Sequence, residues 1–196
     1  MKHNLAIAIA RDIQTRLAPA CVQIEIAGGL RRNKPDVHDI ELVAQPRLIP
    51  VENLFNEHID DHSLLDERLA ELLDAGALTP GAADGSRFKQ YRVPPSGIAL
   101  DLFIVLPPAQ WGYIMAIRTG PAHYSQWLVT RRNKNGALPS HLSAHNGAIW
   151  EGDRQQRVIE TPAEADFFQV LGLPMPAPAD RTPRWGQFNQ PEEASH

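Results

Sequence analysis

Two apolar runs, Val22–Ala27 and Val37–Val43, flank the pair Gly28-Gly29, and that arrangement limits what the chain can fold into more than any other feature. A β-branched run that stops at two glycines predicts a buried strand giving way to a tight turn. With no side chains at Gly28 and Gly29, a phosphate can approach the main chain closely. Leu30-Arg31-Arg32 then opens a short helix whose first amides favour an anion, and the arginines add fixed forks of donors. Asn33, Lys34 and Pro35 turn the chain into a second strand in which Asp39 and Glu41 alternate with Ile40 and Leu42. A period of two puts both carboxylates on one face and both aliphatics on the other.

Two carboxylates on a strand with apolar neighbours are costly to bury unless something cationic neutralises them. Oxygen-only ligands point to Mg²⁺ or Mn²⁺ rather than zinc, and an anion-binding turn beside them points to a metal-bound nucleoside triphosphate. The alternative is a solvent-facing edge strand whose acids pair with Arg31 or Arg32. A third carboxylate, Asp101, interrupts the apolar run Ile98–Val105 and also needs a partner. Either Arg92 supplies it, or the strand lies beside Asp39-Ile40-Glu41 and Asp101 becomes a third metal ligand.

These pieces resemble the signature of the polymerase-beta-like nucleotidyltransferase superfamily, in which a hydrophobic-Gly-[Gly/Ser] turn precedes an acidic-hydrophobic-acidic strand and a later carboxylate. Ala27-Gly28-Gly29, Asp39-Ile40-Glu41 and the strand around Asp101 match its three parts. Gly-Gly-Leu-Arg-Arg looks most like the family X DNA polymerases, and the short length looks like their minimal viral-type members. The resemblance implies an α+β fold. It comprises a palm over residues 1–107, a mixed sheet with helices on one side, then a small α+β subdomain over 108–185 and a disordered tail over 186–196. It implies that Asp39 and Glu41 hold the nucleotide-bound ion and share in a second, which Asp101 completes while helping to activate a primer 3′-hydroxyl. Gly28, Gly29 and Arg32 would hold the triphosphate. Thr119 and Gly120 match an aromatic-Thr-Gly segment that lines the sugar and base of the incoming nucleotide, with Ile117 and Arg118 where aromatic residues usually gate the sugar. Glu41 stands where family X polymerases normally have aspartate. The wider superfamily accepts glutamate there, which leaves open an RNA end, a protein hydroxyl or a small molecule as acceptor, or a non-catalytic relative that only binds nucleic acid.

At 196 residues the chain can build one full domain or two small ones. Its net charge of −4 is unevenly placed. Acidic residues dominate from Asp60 to Asp84, whereas Leu102 to Trp150 contains Arg118, Arg131, Arg132 and Lys134 and no acid. Such asymmetry makes a basic face on an acidic protein, with Arg131, Arg132 and Lys134 the candidates to grip a DNA primer-template or gapped duplex. Cys21 is the single cysteine, so an internal disulfide and a cysteine-based zinc site are excluded. The N-terminus lacks a signal-peptide pattern, and no apolar run approaches the roughly 20 residues of a membrane helix. The expectation is a soluble, cytoplasmic monomer with no membrane partner. A palm starting near residue 1 leaves no room for an N-terminal lyase domain, so no deoxyribose-phosphate lyase activity is expected.

Elsewhere, Leu5, Ile9, Ile13 and Leu17 predict an amphipathic helix over 4–17, ended by Pro19. Residues 46–61 read as irregular. Ser63 reads as the N-cap of a helix with Asp66 at N3, Leu65, Leu69, Leu72 and Leu73 on one side and Gly76 as its stop. Residues 79–85 read as a loop, followed by strands over 88–93 and 98–105. The character changes past Pro107-Pro108, where a helix over 122–132 with Thr119 near its N-cap is expected. Short strands over 141–150 and 155–160 surround a turn at 151–153, and Thr161-Pro162-Ala163-Glu164 reads as a capping box starting a helix to Leu171. Residues 174–178 read as an extended arm.

Overall fold

A computed structural model describes residues 1–52, 58–152, 157–184 and 186–187. The chain is α+β and divides into two compact units, Met1–Leu106 and Pro107–His196. The first contains α1 (His3–Leu17), β1 (Cys21–Ile26), α2 (Gly28–Arg31), β2 (Asp39–Pro46), β3 (Leu48–Glu52), β4 (His58–Ser63), α3 (Leu64–Asp74), β5 (Thr79–Asp84), β6 (Phe88–Val93) and β7 (Ile98–Ile104). Among the described residues, five strands form one sheet in the order β1-β2-β7-β6-β5. It is mixed: β2 and β7 run parallel, and the other neighbours are antiparallel.

Alternation sorts the two faces of this sheet. Ile40, Leu42 and Ala44 of β2 and Leu100, Leu102 and Ile104 of β7 join one apolar cluster with Ala6, Ala10, Ile13 and Leu17 of α1 and Leu65, Leu69 and Leu72 of α3. Asp39, Glu41 and Asp101, one residue out of phase with that set, fall on the opposite face. In α1 the buried stripe runs through Ala6 and Ala10, while Leu5 is 56% exposed, so the expected Leu5 position is corrected. Small alanines let the helix approach the sheet closely, and the wider leucine is left outside. In α3 the Ser63 hydroxyl accepts the Asp66 N–H at 3.2 Å, and Gly76 follows the helix with φ +66°.

Three segments without an evident pattern are strands. Leu48–Glu52 and His58–Ser63 pair antiparallel as a separate ribbon where irregular chain was expected, and residues 53–57 lie outside the described ones. Pro50 obscured it, yet a strand with one partner tolerates a residue lacking an N–H. Thr79–Asp84, expected as a loop, is an edge strand on β6 whose register shifts between Pro80 and Asp84. Proline and glycine are admitted there because an edge needs only half its ladder bonds.

The second unit contains α4 (Trp111–Thr119), α5 (Ala122–Val129), β8 (Leu142–His145), β9 (Ala148–Glu151), β10 (Arg157–Ile159) and α6 (Glu164–Val170). Its core is aromatic, with Tyr113, Tyr124, Trp127, Phe167 and Phe168 in one cluster. β8 and β9 are joined by Asn146-Gly147, whose φ values of +50° and +76° mark a tight hairpin turn. Thr119 ends α4 rather than capping the next helix, and α5 stops at Val129, short of Arg131 and Arg132. The cap of α6 also differs from the expected box. The Ala163 N–H donates to the Asp166 carboxylate at 2.7 Å, and Thr161 is fully buried two residues upstream. Asp153 and Gln155, at the expected turn and strand start, lie outside the described residues, as does Trp185 and most of the expected tail.

One buried ion pair fastens the segment after α6. Arg181 meets Glu164 at 2.7 Å with side chains 1% and 9% exposed, donates to the Ala116 carbonyl, and lies 5.4 Å over the Phe168 ring. Removing one member leaves a buried charge facing a void, which costs about 3–5 kcal/mol, whereas apolar replacement of both is often neutral. Glu164→Ala is therefore expected to lose that much stability in urea unfolding, and Glu164→Leu combined with Arg181→Met to recover most of it.

Cys21 is 2% exposed, and burial pushes its thiol up from 9.0 to about 11, against the pull of Arg47. The folded chain thus holds this proton more tightly than the unfolded chain does. The contribution is complete below pH 9 and disappears as pH rises through about 11. Wild type should lose about 3 kcal/mol more stability than Cys21→Ala across that window, by the linkage of about 1.4 kcal/mol per pH unit. Equal pH slopes for the two proteins would contradict a buried thiol.

Candidate active site

The site is assembled from the turn after β1 and the facing ends of β2, β7 and β6. β1 ends at Ile26, and Ala27 stays extended while its N–H donates to the Glu41 carbonyl at 2.9 Å, tying the start of the turn to β2. Gly28 then takes φ +59°, a left-handed conformation that side chains disfavour, and the chain winds through the single turn of α2. The Arg31 N–H reaches the Ala27 carbonyl and the Arg32 N–H the Gly28 carbonyl. The return to β2 is pinned by the chain's first residues. The Met1 ammonium donates to the Val37 carbonyl at 2.7 Å, the His3 N–H to the Pro35 carbonyl, and Lys2 pairs with Asp36 at 2.9 Å.

β2 and β7 run side by side with Asp39 opposite Ala99 and Glu41 opposite Asp101. All three sequence-predicted carboxylates therefore share one face, Glu41 and Asp101 on adjacent strands and Asp39 one repeat along from Glu41. The Glu41 carboxyl is held above the usual carboxylate range. Loss of water is the main cause; the negative charges of Asp39 and Asp101 push the same way, and Arg32 and the Gly29 amide oppose them. Of the predicted phosphate-binding residues, Gly28, Gly29 and Arg32 thus lie with the carboxylates.

Glu41 also accounts for the first glycine. Its Oε2 accepts the Gly29 N–H at 3.3 Å and lies 1.4 Å from where a Cβ on Gly28 would stand. The longer glutamate folds back onto the turn and fills the space the glycine leaves. Asp101 is engaged differently, accepting from the Gln90 carboxamide at 2.8 Å through Oδ1. Arg92, the alternative partner considered for it, donates to the Gly97 carbonyl at 3.1 Å. Among the described residues no three His, Cys, Asp or Glu side chains are gathered closely enough to hold a metal ion as they stand. The donor chemistry nevertheless suits a hard divalent cation. The set is all oxygen, and the repulsion that Asp39 and Asp101 exert on Glu41 is the charge excess such an ion relieves.

The remaining predicted residues belong to the second unit. Thr119 is fully buried, and a Cβ on Gly120 would stand 2.5 Å from the Tyr124 ring, so this pair closes α4 against α5. Arg131 donates to the Leu142 carbonyl at 2.8 Å, and Arg132 to those of Ala137 at 3.3 Å and Leu171 at 2.6 Å. Both guanidinium groups therefore tie the second unit's backbone together, while Lys134 is exposed beside them. That unit also has a cleft of about 310 Å³ bordered by Tyr124, Trp127, Pro174 and Arg184. Its one acid is Asp180, which leaves it without the paired carboxylates of the sheet site. Gln90 was missed from the sequence, although counting outward from the Pro94–Gly97 turn places it opposite Asp101. No protein-family model and no curated protein matches the chain.

The lodging of Glu41 against Gly28 has a thermodynamic signature. Gly28→Ala puts a methyl into the carboxylate, an overpacking cost of about 1–3 kcal/mol, and forces a left-handed side chain at about 1–2 kcal/mol more. In a Glu41→Ala background only the second cost should remain. Urea unfolding of the four proteins measures this, and equal losses in both backgrounds would mean that Glu41 does not occupy that space.

Proposed function

We propose that this chain is a metal-dependent nucleotidyltransferase, and specifically a small DNA-directed DNA polymerase of the family X type, acting on a primer-template or gapped duplex as a cytoplasmic monomer. The observation that carries this reading is the placement of Asp39, Glu41 and Asp101 on one face of the β2–β7 pair beside the Gly28-Gly29 turn. Asp39 and Glu41 would hold the nucleotide-bound Mg²⁺ or Mn²⁺, and Asp101 with them a second ion. Two such ions, when bound, stabilise the attacking and leaving oxygens of an in-line displacement. The rest falls to the chain's own groups. The Gly28 amide and the Arg32 guanidinium would orient the triphosphate, joined by the Gly29 amide once Glu41 releases it, and Asp101 stands to orient the primer 3′-hydroxyl and draw off its proton. The 3′-oxygen forms its bond to the α-phosphorus as the bond to the pyrophosphate oxygen breaks. Positioning and charge stabilisation account for most catalysis in such a transfer.

Among the described residues, no helix is long and apolar enough to cross a membrane. A second reading, transfer to an acceptor other than DNA, is favoured by the arginines of the second unit. Arg131 and Arg132 are engaged with backbone carbonyls, which weakens the duplex grip assigned to them.

Primer extension on a short gapped duplex separates the readings, with each dNTP and NTP supplied singly, in Mg²⁺ and in Mn²⁺. Wild type should add the templated nucleotide, and Asp101→Ala should lower the rate by about 10²–10³-fold, the scale of losing a principal charge-stabilising group. No incorporation by wild type with either metal would sink the polymerase reading and leave the other acceptors.

A further inference from the structure

We propose that Gln90 is a positioning residue for Asp101, and that the bulged edge strand β5 is there to hold it. The inference rests on the nucleotidyltransferase reading of Asp101. Gln90 and Asp101 are register partners on β6 and β7, so both side chains rise from the face that carries Glu41. The Gln90 Nε2 donates to Asp101 Oδ1 at 2.8 Å, and its Oε1 accepts the Ala82 N–H at 3.2 Å.

The two bonds fix the amide in one sense. A flipped carboxamide would set oxygen against the Asp101 carboxylate and nitrogen against the Ala82 N–H, losing both bonds at once. The Ala82 N–H is free to serve because β5 slips register on β6 between Pro80 and Asp84, which turns that amide from the ladder to a side chain. Gly81 makes the slip possible. A Cβ there would lie 2.5 Å from the Gln90 carbonyl oxygen and 2.8 Å from Gln90 Cγ, so only glycine lets the bulge close over this residue.

A donor fixed in this way sets the plane of Asp101 through one oxygen before any ligand arrives. Outer groups that orient a ligating carboxylate typically change metal affinity or activity about 10–100-fold when removed. Gln90→Met keeps the length of the side chain and removes the donor. Gln90→Glu keeps the shape and the acceptor for Ala82 but turns a repelling oxygen toward Asp101.

The test uses the full chain and measures Mn²⁺ binding by electron paramagnetic resonance, thermal unfolding, and single-nucleotide addition as a function of metal and dNTP. Gln90→Met should weaken Mn²⁺ binding about tenfold or more, with the melting temperature and the KM for dNTP little changed. Gln90→Glu should lower kcat about tenfold even at saturating Mn²⁺. Both effects should vanish in an Asp101→Ala background. Mn²⁺ binding and transfer by Gln90→Met equal to wild type would overturn this role and leave the proposed activity standing, as would effects of the same size with Asp101 removed. If Gln90→Met fails to fold, a Gln90→Glu protein with wild-type kcat overturns it instead. A wild-type chain that neither binds Mn²⁺ nor transfers a nucleotide overturns the activity and this role together.

Discussion

The parallel pairing of β2 with β7 is the constraint on which the rest of the first unit depends. Parallel neighbours cannot be joined by a tight turn, so the chain between them must leave the sheet and return. It does so through the β3–β4 ribbon, α3 and the antiparallel strands β5 and β6. The same pairing decides which residues are core. Once Glu41 lies opposite Asp101, Ile40 lies opposite Leu100 and Leu42 opposite Leu102, and the aliphatic face closes under α1 and α3. A slip of β2 by one residue would bury Asp39 and Glu41 and expose its aliphatics, so the register of the site and that of the core are a single choice.

What keeps three carboxylates together on a sheet is a set of local donors. Glu41 leans on the Gly29 amide and feels Arg32, and Asp101 takes a hydrogen bond from Gln90. Burial first and the charges of Asp39 and Asp101 after it raise the Glu41 carboxyl, Arg32 and the Gly29 amide pull it down, and the net direction is upward. Glu41 and Asp101 are each held by a neutral partner, a backbone amide and a carboxamide.

Much of this was legible in the sequence because alternation and glycine carry direct physical meaning. Asp39-Ile40-Glu41 and the lone Asp101 in an aliphatic run could be assigned to one face each, and Ser63 and Gly76 bracketed α3 through their own chemistry. The misses share a cause. Pro50, Pro80 and Gly81 lower the apparent strand character of segments that pair on one side only, so β3 and β5 were hidden. Leu5 looked like core because spacing reports a stripe but not its centre, and the alanines beside it define the real contact. The charge of Arg131 and Arg132 is visible in the sequence, whereas the carbonyls of Leu142 and Leu171 that receive them are not. Gln90 was hidden for the same reason, since its importance comes from a bulge on a neighbouring strand.

The separation of Glu41 from Asp101 in the chain also bears on how the protein comes into being. A contact of such long sequence range forms late, after the loop-closure entropy of everything between has been overcome. As the chain leaves the ribosome, Asp39, Glu41 and the glycine turn emerge together, but they face no third carboxylate until β7 has been made and has inserted between β2 and β6. A nascent or truncated chain ending before Asp101 thus carries the glycine turn and two of the three carboxylates without the third. Synthesis itself therefore completes the constellation only together with the sheet around it.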